Sequence, residues 1–253
     1  RNTAVGALAL TNNTTGDHNV GVGYMTMMGS GNWNTAVGYM ALKSSSADSN
    51  TAVGYMSMYT QTAGANNNTA LGYKSLYTNV TSDQNVAVGY GALESHTGGV
   101  SAPYSYATAV GYQALNDNTD GENNTALGYR ALKLNTTGDR NIGIGDGALD
   151  AADTENDNIA IGYNALGGAI NGGEFNVAIG NNALDSNTSG DDNISIGYNI
   201  VTKSGCNVRV FGSLQNVATF TDYEGIDPEI YGGIDNNFYP RPQTGVFGVT
   251  FKF

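Results

Sequence analysis

A five-residue phrase, Asn-x-Ala-x-Gly, returns with small variations twelve times in the first two hundred residues. It closes on Gly6, Gly23, Gly38, Gly54, Gly72, Gly89, Gly111, Gly128, Gly145, Gly162, Gly180 and Gly197. The intervals are 17, 15, 16, 18, 17, 22, 17, 17, 17, 18 and 17 residues. A unit this short cannot bury its own apolar side, so each copy has to lean on the next, and the copies stack into a solenoid. The expected fold is all-β: a parallel β-solenoid of about twelve turns over residues 1–212, followed by a short β tail over 213–253.

Composition agrees with a stack of short strands and turns. Glycine supplies 36 of 253 residues and charged residues only 13%. Glycine and asparagine disfavour helix, and the recurrence of aliphatic residues on a fixed period separates the chain from a disordered tail. A net charge of -12 with ten basic residues leaves no electrostatic footprint for nucleic acid. The single cysteine, Cys206, rules out an intrachain disulfide framework. No apolar run is long enough for a transmembrane helix.

Within a copy such as residues 34–42, strand alternation sets Thr35 and Val37 on one side and Asn34, Ala36 and Gly38 on the other. The first side is branched in nearly every copy, from Val20 and Val22 to Ile194 and Ile196, as suits a strand. Four residues past the glycine runs a second aliphatic row that includes Leu42, Met58, Leu76, Leu132 and Leu166. This predicts two short strands per turn, bent at the glycine, with the Val/Ile and Leu rows closing a thin core. The column Ala36, Ala52, Ala70, Ala87, Ala109, Ala126, Ala160 and Ala178, with Gly21, Gly143 and Ser195 in register, admits only small residues. Two readings fit it: a contact surface between identical chains around a symmetry axis, or close packing inside a narrow monomer.

Directly after the glycine, nine copies carry tyrosine: Tyr24, Tyr39, Tyr55, Tyr73, Tyr90, Tyr112, Tyr129, Tyr163 and Tyr198. One ring per turn makes a ladder, which either stabilises the edge of the solenoid or faces a partner. Turn chemistry fills the links, as in Asn-Thr-Thr-Gly-Asp at 13–17 and 135–139. The longest link, residues 98–106, holds Pro103 and predicts one protruding loop.

These repeats resemble two known groups. Asn-Val-Ala-Ile-Gly (176–180) and Asn-Ile-Ala-Ile-Gly (158–162) are similar to the head repeat of trimeric autotransporter adhesins. The longer form at 124–132 resembles repeats of phage tail fibres and related surface proteins. The resemblance implies a left-handed β-roll in a homotrimeric, non-enzymatic shaft at the cell surface, attaching to a host surface protein or glycan. The chain departs from the adhesin pattern in its longer turns and its tyrosine row.

The tail differs. Residues 246–253 alternate, with Phe247, Val249, Phe251 and Phe253 on one face and Gly248, Thr250 and Lys252 on the other, as in an outer-membrane strand. Residues 214–229 with Tyr239-Pro240-Arg241-Pro242 resemble the end of TonB-dependent outer-membrane receptors, in particular nutrient importers of gut and marine Bacteroidota. Such barrels need 22 strands, and this tail supplies about two. The resemblance implies an outer-membrane or cell-surface address, and as an alternative function a part of such a receptor.

No catalytic constellation emerges. His18 and His96 lie in turns five repeats apart, so a serine or cysteine nucleophile has no base. Residues 116–121 imitate the first half of a calcium loop, but Leu127 stands where its bidentate glutamate belongs. The expectation is no cofactor and no enzymatic activity, with loosely bound calcium between acidic turns left open.

Overall fold

The computed structural model describes residues 1–44, 46–61, 64–98, 105–168, 172–187 and 189–198, together with the backbone of 201–202 and 206–207. The chain divides into two compact units, Arg1–Val201 and Thr202–Phe253. In the second, the described residues are the end of β13 (Val201–Thr202) and β14 (Cys206–Asn207), which pair with each other. The tail strand expected at Phe247, Val249, Phe251 and Phe253, and the resemblance at 214–242, lie outside the described residues.

The first unit is a parallel β-solenoid. Its rungs are β1 (Thr3–Val5), β2 (Val20–Val22), β3 (Thr35–Val37), β4 (Thr51–Val53), β5 (Thr69–Leu71) and β6 (Val86–Val88). They continue through β7 (Thr108–Val110), β8 (Thr125–Leu127), β9 (Ile142–Ile144), β10 (Ile159–Ile161), β11 (Val177–Ile179) and β12 (Ile194–Ile196). The twelve strands form one sheet in chain order, each parallel to the next, and repeat positions pair without slip: Ala36 with Ala52, Ala126 with Gly143, Ala178 with Ser195. Twelve rungs enclose about eleven full turns, and at about 4.8 Å per rung they extend about 50 Å. No helix occurs among the described residues.

The turn differs from the expected one in two ways. It holds one strand, not two. After the glycine the chain enters a turn with two left-handed residues, Met40 (φ 52°) and Leu42 (φ 51°) in the third copy, and a third, Ser49 (φ 60°), precedes the next asparagine. The hydrogen bonding between rungs nevertheless continues round the corner, because the left-handed residues donate in alternate directions. Met40 N–H reaches back to Tyr24 O at 2.9 Å, and Leu42 N–H reaches forward to Ser57 O at 2.9 Å. Backbone donors thus stay paired without a second strand.

The faces are also exchanged. The middle residue of each strand points inward and its two neighbours outward: Ala36, Ala52, Ala70, Ala87, Ala109, Ala126, Ala160 and Ala178 are fully buried within the single chain. The core is that alanine column packed against the Met/Leu row, Leu42, Met58, Leu76 and their successors, not a Val/Ile row against a Leu row. Space explains the small residues. A Cβ added to Gly143 would stand 3.1 Å from Leu132 Cγ, and one added to Gly21 would stand 3.3 Å from Leu10 Cγ. The column is therefore interior packing and not a surface turned to a symmetry axis.

Candidate functional site

With the alanines inside, the outer surface of the sheet is the pair of flanking positions. In none of the strands β1 to β12 is a flanking side chain buried. Rungs β1 to β8 present mostly threonine beside valine or leucine, as at Thr51/Val53 and Thr125/Leu127. Rungs β9 to β12 present Ile142/Ile144, Ile159/Ile161, Val177/Ile179 and Ile194/Ile196. This is an unpartnered apolar strip two residues wide, and it becomes wholly aliphatic towards its C-terminal end.

The tyrosines emerge on the residue after the glycine bend. Seven of them stack without interruption from Tyr24 to Tyr129, with centroids 4.8–5.4 Å apart and ring planes within 16°. The ladder ends where the same position holds Ala7 on one side and Asp146 on the other, and Tyr163 and Tyr198 stand beyond it, separated by Asn181. All nine rings are between 39% and 65% exposed. Since neighbours cover the faces of the stacked rings, what the ladder offers solvent is a row of ring edges and phenol oxygens. A shorter second stack pairs Tyr59 with Tyr77 at 5.2 Å. Three basic residues lie on these rings: Lys43 over Tyr59, Lys74 over Tyr73 and Tyr77, and Arg130 over Tyr129. Lys74 also pairs with Glu94 at 3.4 Å, which raises its pKa.

Inside, polar ladders run parallel to the aromatic one. From Asn19 to Asn176 the residue that opens a repeat is a buried asparagine in every copy but one, where Ala107 stands, and the asparagine's side-chain oxygen accepts from the next rung. Asn141 accepts from Asn158 N–H at 3.0 Å and donates to Glu155 O at 2.7 Å, while its own N–H reaches Asn124 Oδ1 at 2.8 Å. A second row, at the asparagine of the Asn-Thr-Thr-Gly turn, joins Asn135 Nδ2 to Asn118 Oδ1 at 3.0 Å. His96 takes one place in that row. Asn118 Nδ2 donates to its Nδ1 at 3.1 Å, leaving the proton on a buried Nε2 that has no partner. Burial lowers its pKa to about 4.

A third row, two residues before the repeat asparagine, alternates Asp17, Asn32, Asp48, Asn66 and Asp83. From Asn32 to Asp83 each side-chain oxygen accepts the N–H of the rung before, as Asp48 Oδ1 does from Asn32 at 2.7 Å. Over these five rungs the alternation keeps like charges from standing one rung apart, whereas further along Glu122 and Asp139, and Glu174 and Asp191, set acids on successive rungs.

The histidines and the calcium-like turn are thus placed. His18 stacks on exposed Trp33 with centroids 6.4 Å apart, and His96 is enclosed by its ladder. Asn116 donates to Gly91 O at 2.7 Å, and Asn118 is committed to His96 and Gly121. Among the described residues no cluster of histidine, cysteine, aspartate or glutamate is arranged to hold a metal ion, and no helix is long and apolar enough to cross a membrane.

Compared with known proteins, the chain matches no family model, and no solved structure matches it. Over 52 residues it is 40% identical to the TonB-dependent receptor SusC of Bacteroides thetaiotaomicron. That stretch is 21% of this chain and 5% of the receptor, so the chain spans a small fraction of the relative it matches.

Proposed function

We propose that the chain is a non-enzymatic surface shaft of the adhesin or tail-fibre kind, which associates with copies of itself and presents its tyrosine ladder to a host surface protein or glycan. One observation carries the reading: twelve in-register rungs display the same outward side chains, so any contact made at one rung is available at the next. Weak contacts repeated on a rigid scaffold add through effective concentration. The flanking Thr/Val/Ile strip is the surface assigned to self-association, since an apolar sheet face of this length is a liability when left bare. By resemblance the assembly is a homotrimer, and the work is done without a cofactor. Light scattering on the full chain tests association, with a stable monomer at micromolar concentration opposing it. An array of glycans and surface proteins tests attachment, and failure to bind any of them reduces the rod to a spacer.

The receptor match supports an envelope address and a second reading, in which the rod belongs to an outer-membrane nutrient receptor. Deleting residues 214–253 separates the two. A shaft keeps its binding and loses only its attachment, whereas a receptor part loses uptake of a nutrient and has no binding activity in its repeats.

A further inference from the structure

From the ring geometry we infer that the tyrosine ladder is a modification site, at which a one-electron oxidant joins consecutive tyrosines of one chain into dityrosine links and staples neighbouring rungs together. Coupling of two phenols needs both rings within reach of each other and both open to the oxidant. Ladder neighbours meet both conditions: Tyr73 and Tyr90 lie 4.8 Å apart with planes 7° from parallel, and both are exposed. The rungs hold the rings in this arrangement, because the backbone is hydrogen-bonded through the ladder position itself. Gly91 N–H donates to Tyr73 O at 2.9 Å, just as Lys74 N–H donates to Tyr55 O.

The step balances without other reactants. Each phenol gives one electron to the oxidant and its hydroxyl proton to water, which leaves two phenoxyl radicals on adjacent rungs. A carbon–carbon bond forms between the ring carbons ortho to the two oxygens. Each of those carbons then passes its hydrogen to the neighbouring oxygen as aromaticity returns, and the phenols are restored. The net change is the loss of two protons and two electrons per link.

The chain carries its own comparison. Tyr163 occupies the ladder position and is 51% exposed, but Asp146 and Asn181 stand where its partners would be. It can be oxidised and has no ladder neighbour to couple with. Tyr59 and Tyr77, off the main ladder but stacked at 5.2 Å, can couple.

The test uses the full chain at low concentration with a photogenerated trivalent ruthenium complex as oxidant and persulfate as terminal acceptor. Dityrosine fluorescence follows the reaction, and mass mapping of digested protein locates the links. The expected links join consecutive rings between Tyr24 and Tyr129, and Tyr59 to Tyr77, within one chain. In Tyr73→Phe the links from position 73 to Tyr55 and Tyr90 disappear while those among Tyr90, Tyr112 and Tyr129 persist. Links formed chiefly between chains, or involving Tyr163 as often as a ladder ring, would overturn the inference.

Discussion

The side-chain carbonyl of Asn34 accepts the backbone N–H of Asn50 at 2.8 Å, one full turn further along the chain. The same residue donates from Nδ2 to Ala47 O at 2.9 Å. One buried amide thereby binds the next rung to its own turn. The acceptor half recurs along the rod and lapses at Ala107, whose N–H donates to Asn85 Oδ1 at 2.9 Å but whose methyl cannot pass the contact on; the Nδ2 half is missing at Asn50 and Asn85.

Asn141 tests the value of the ladder. Asn141→Ala leaves Asn158 N–H and Glu155 O without their buried partner, and at about 1–3 kcal/mol for each unmade bond the variant should lose about 2–6 kcal/mol. Asn141→Asp keeps the acceptor but turns an anionic oxygen toward Glu155 O. It should be at least as damaging at neutral pH and recover in part when the carboxyl is protonated. Denaturant titrations of both variants at two pH values measure this, and wild-type stability in either would remove the ladder from the account.

Ala126 tests the exchange of faces. Leucine at this fully buried site has to displace the Leu row across the core, at a cost of about 1–3 kcal/mol or more. The loss should appear as a lower melting temperature and weaker β-sheet circular dichroism at every protein concentration. A variant that keeps full strand content and merely dissociates would return the alanine column to a surface role.

His96 gives the rod an acid sensitivity with a defined window. Its pKa is about 4 in the folded chain, against 6.5 for the ordinary imidazole. Between these values the unfolded chain binds more protons, so stability rises with pH there. The contribution is fully present above pH 6.5 and is lost as pH falls to about 4, amounting to about 3 kcal/mol. His96→Asn, which installs the residue found at this place in neighbouring rungs, should flatten stability between pH 6.5 and 4. An unchanged pH profile would show that some other group sets it.

The period was legible because glycine is indispensable to it. A Cβ on Gly128 would fall 2.3 Å from Gly145 O, and φ there is 140°, so the phrase cannot drift. The expected turn holds two strands, yet what the sequence avoids there points to one. No Val, Ile or Thr is among the non-glycine residues at positive φ, and from Gly6 to Gly180 the second and fourth residues after the repeat glycine are Met, Leu, Lys, Gln, Arg, Asn or Gly. A true second strand would favour β-branched residues at those places. The inward face was misread because hydrophobicity alone favours Val37 over Ala36 for the core. What decides is the narrow gap to the Met/Leu row, as at Gly143 against Leu132, and that depends on the turn. The histidine at a ladder position left no signal beyond its spacing three residues after Leu93, the same offset as Asn135 from Leu132.

The aliphatic end of the outer strip carries the last prediction. Ile144, Ile161 and Ile179 point outward in three consecutive rungs and make no part of the buried core. Ile161→Lys should therefore leave the fold intact, with a melting temperature close to that of the parent chain measured as a monomer. If the strip is the self-association surface, the charge has to be desolvated when copies meet, and association should weaken by tenfold or more. The matching change in the N-terminal half, Val53→Lys, should act less, since threonines already make that part of the strip more polar. Sedimentation of the two variants beside the parent chain compares them. Equal association in all three would move the contact elsewhere on the rod, with the tyrosine edge as the next surface to probe.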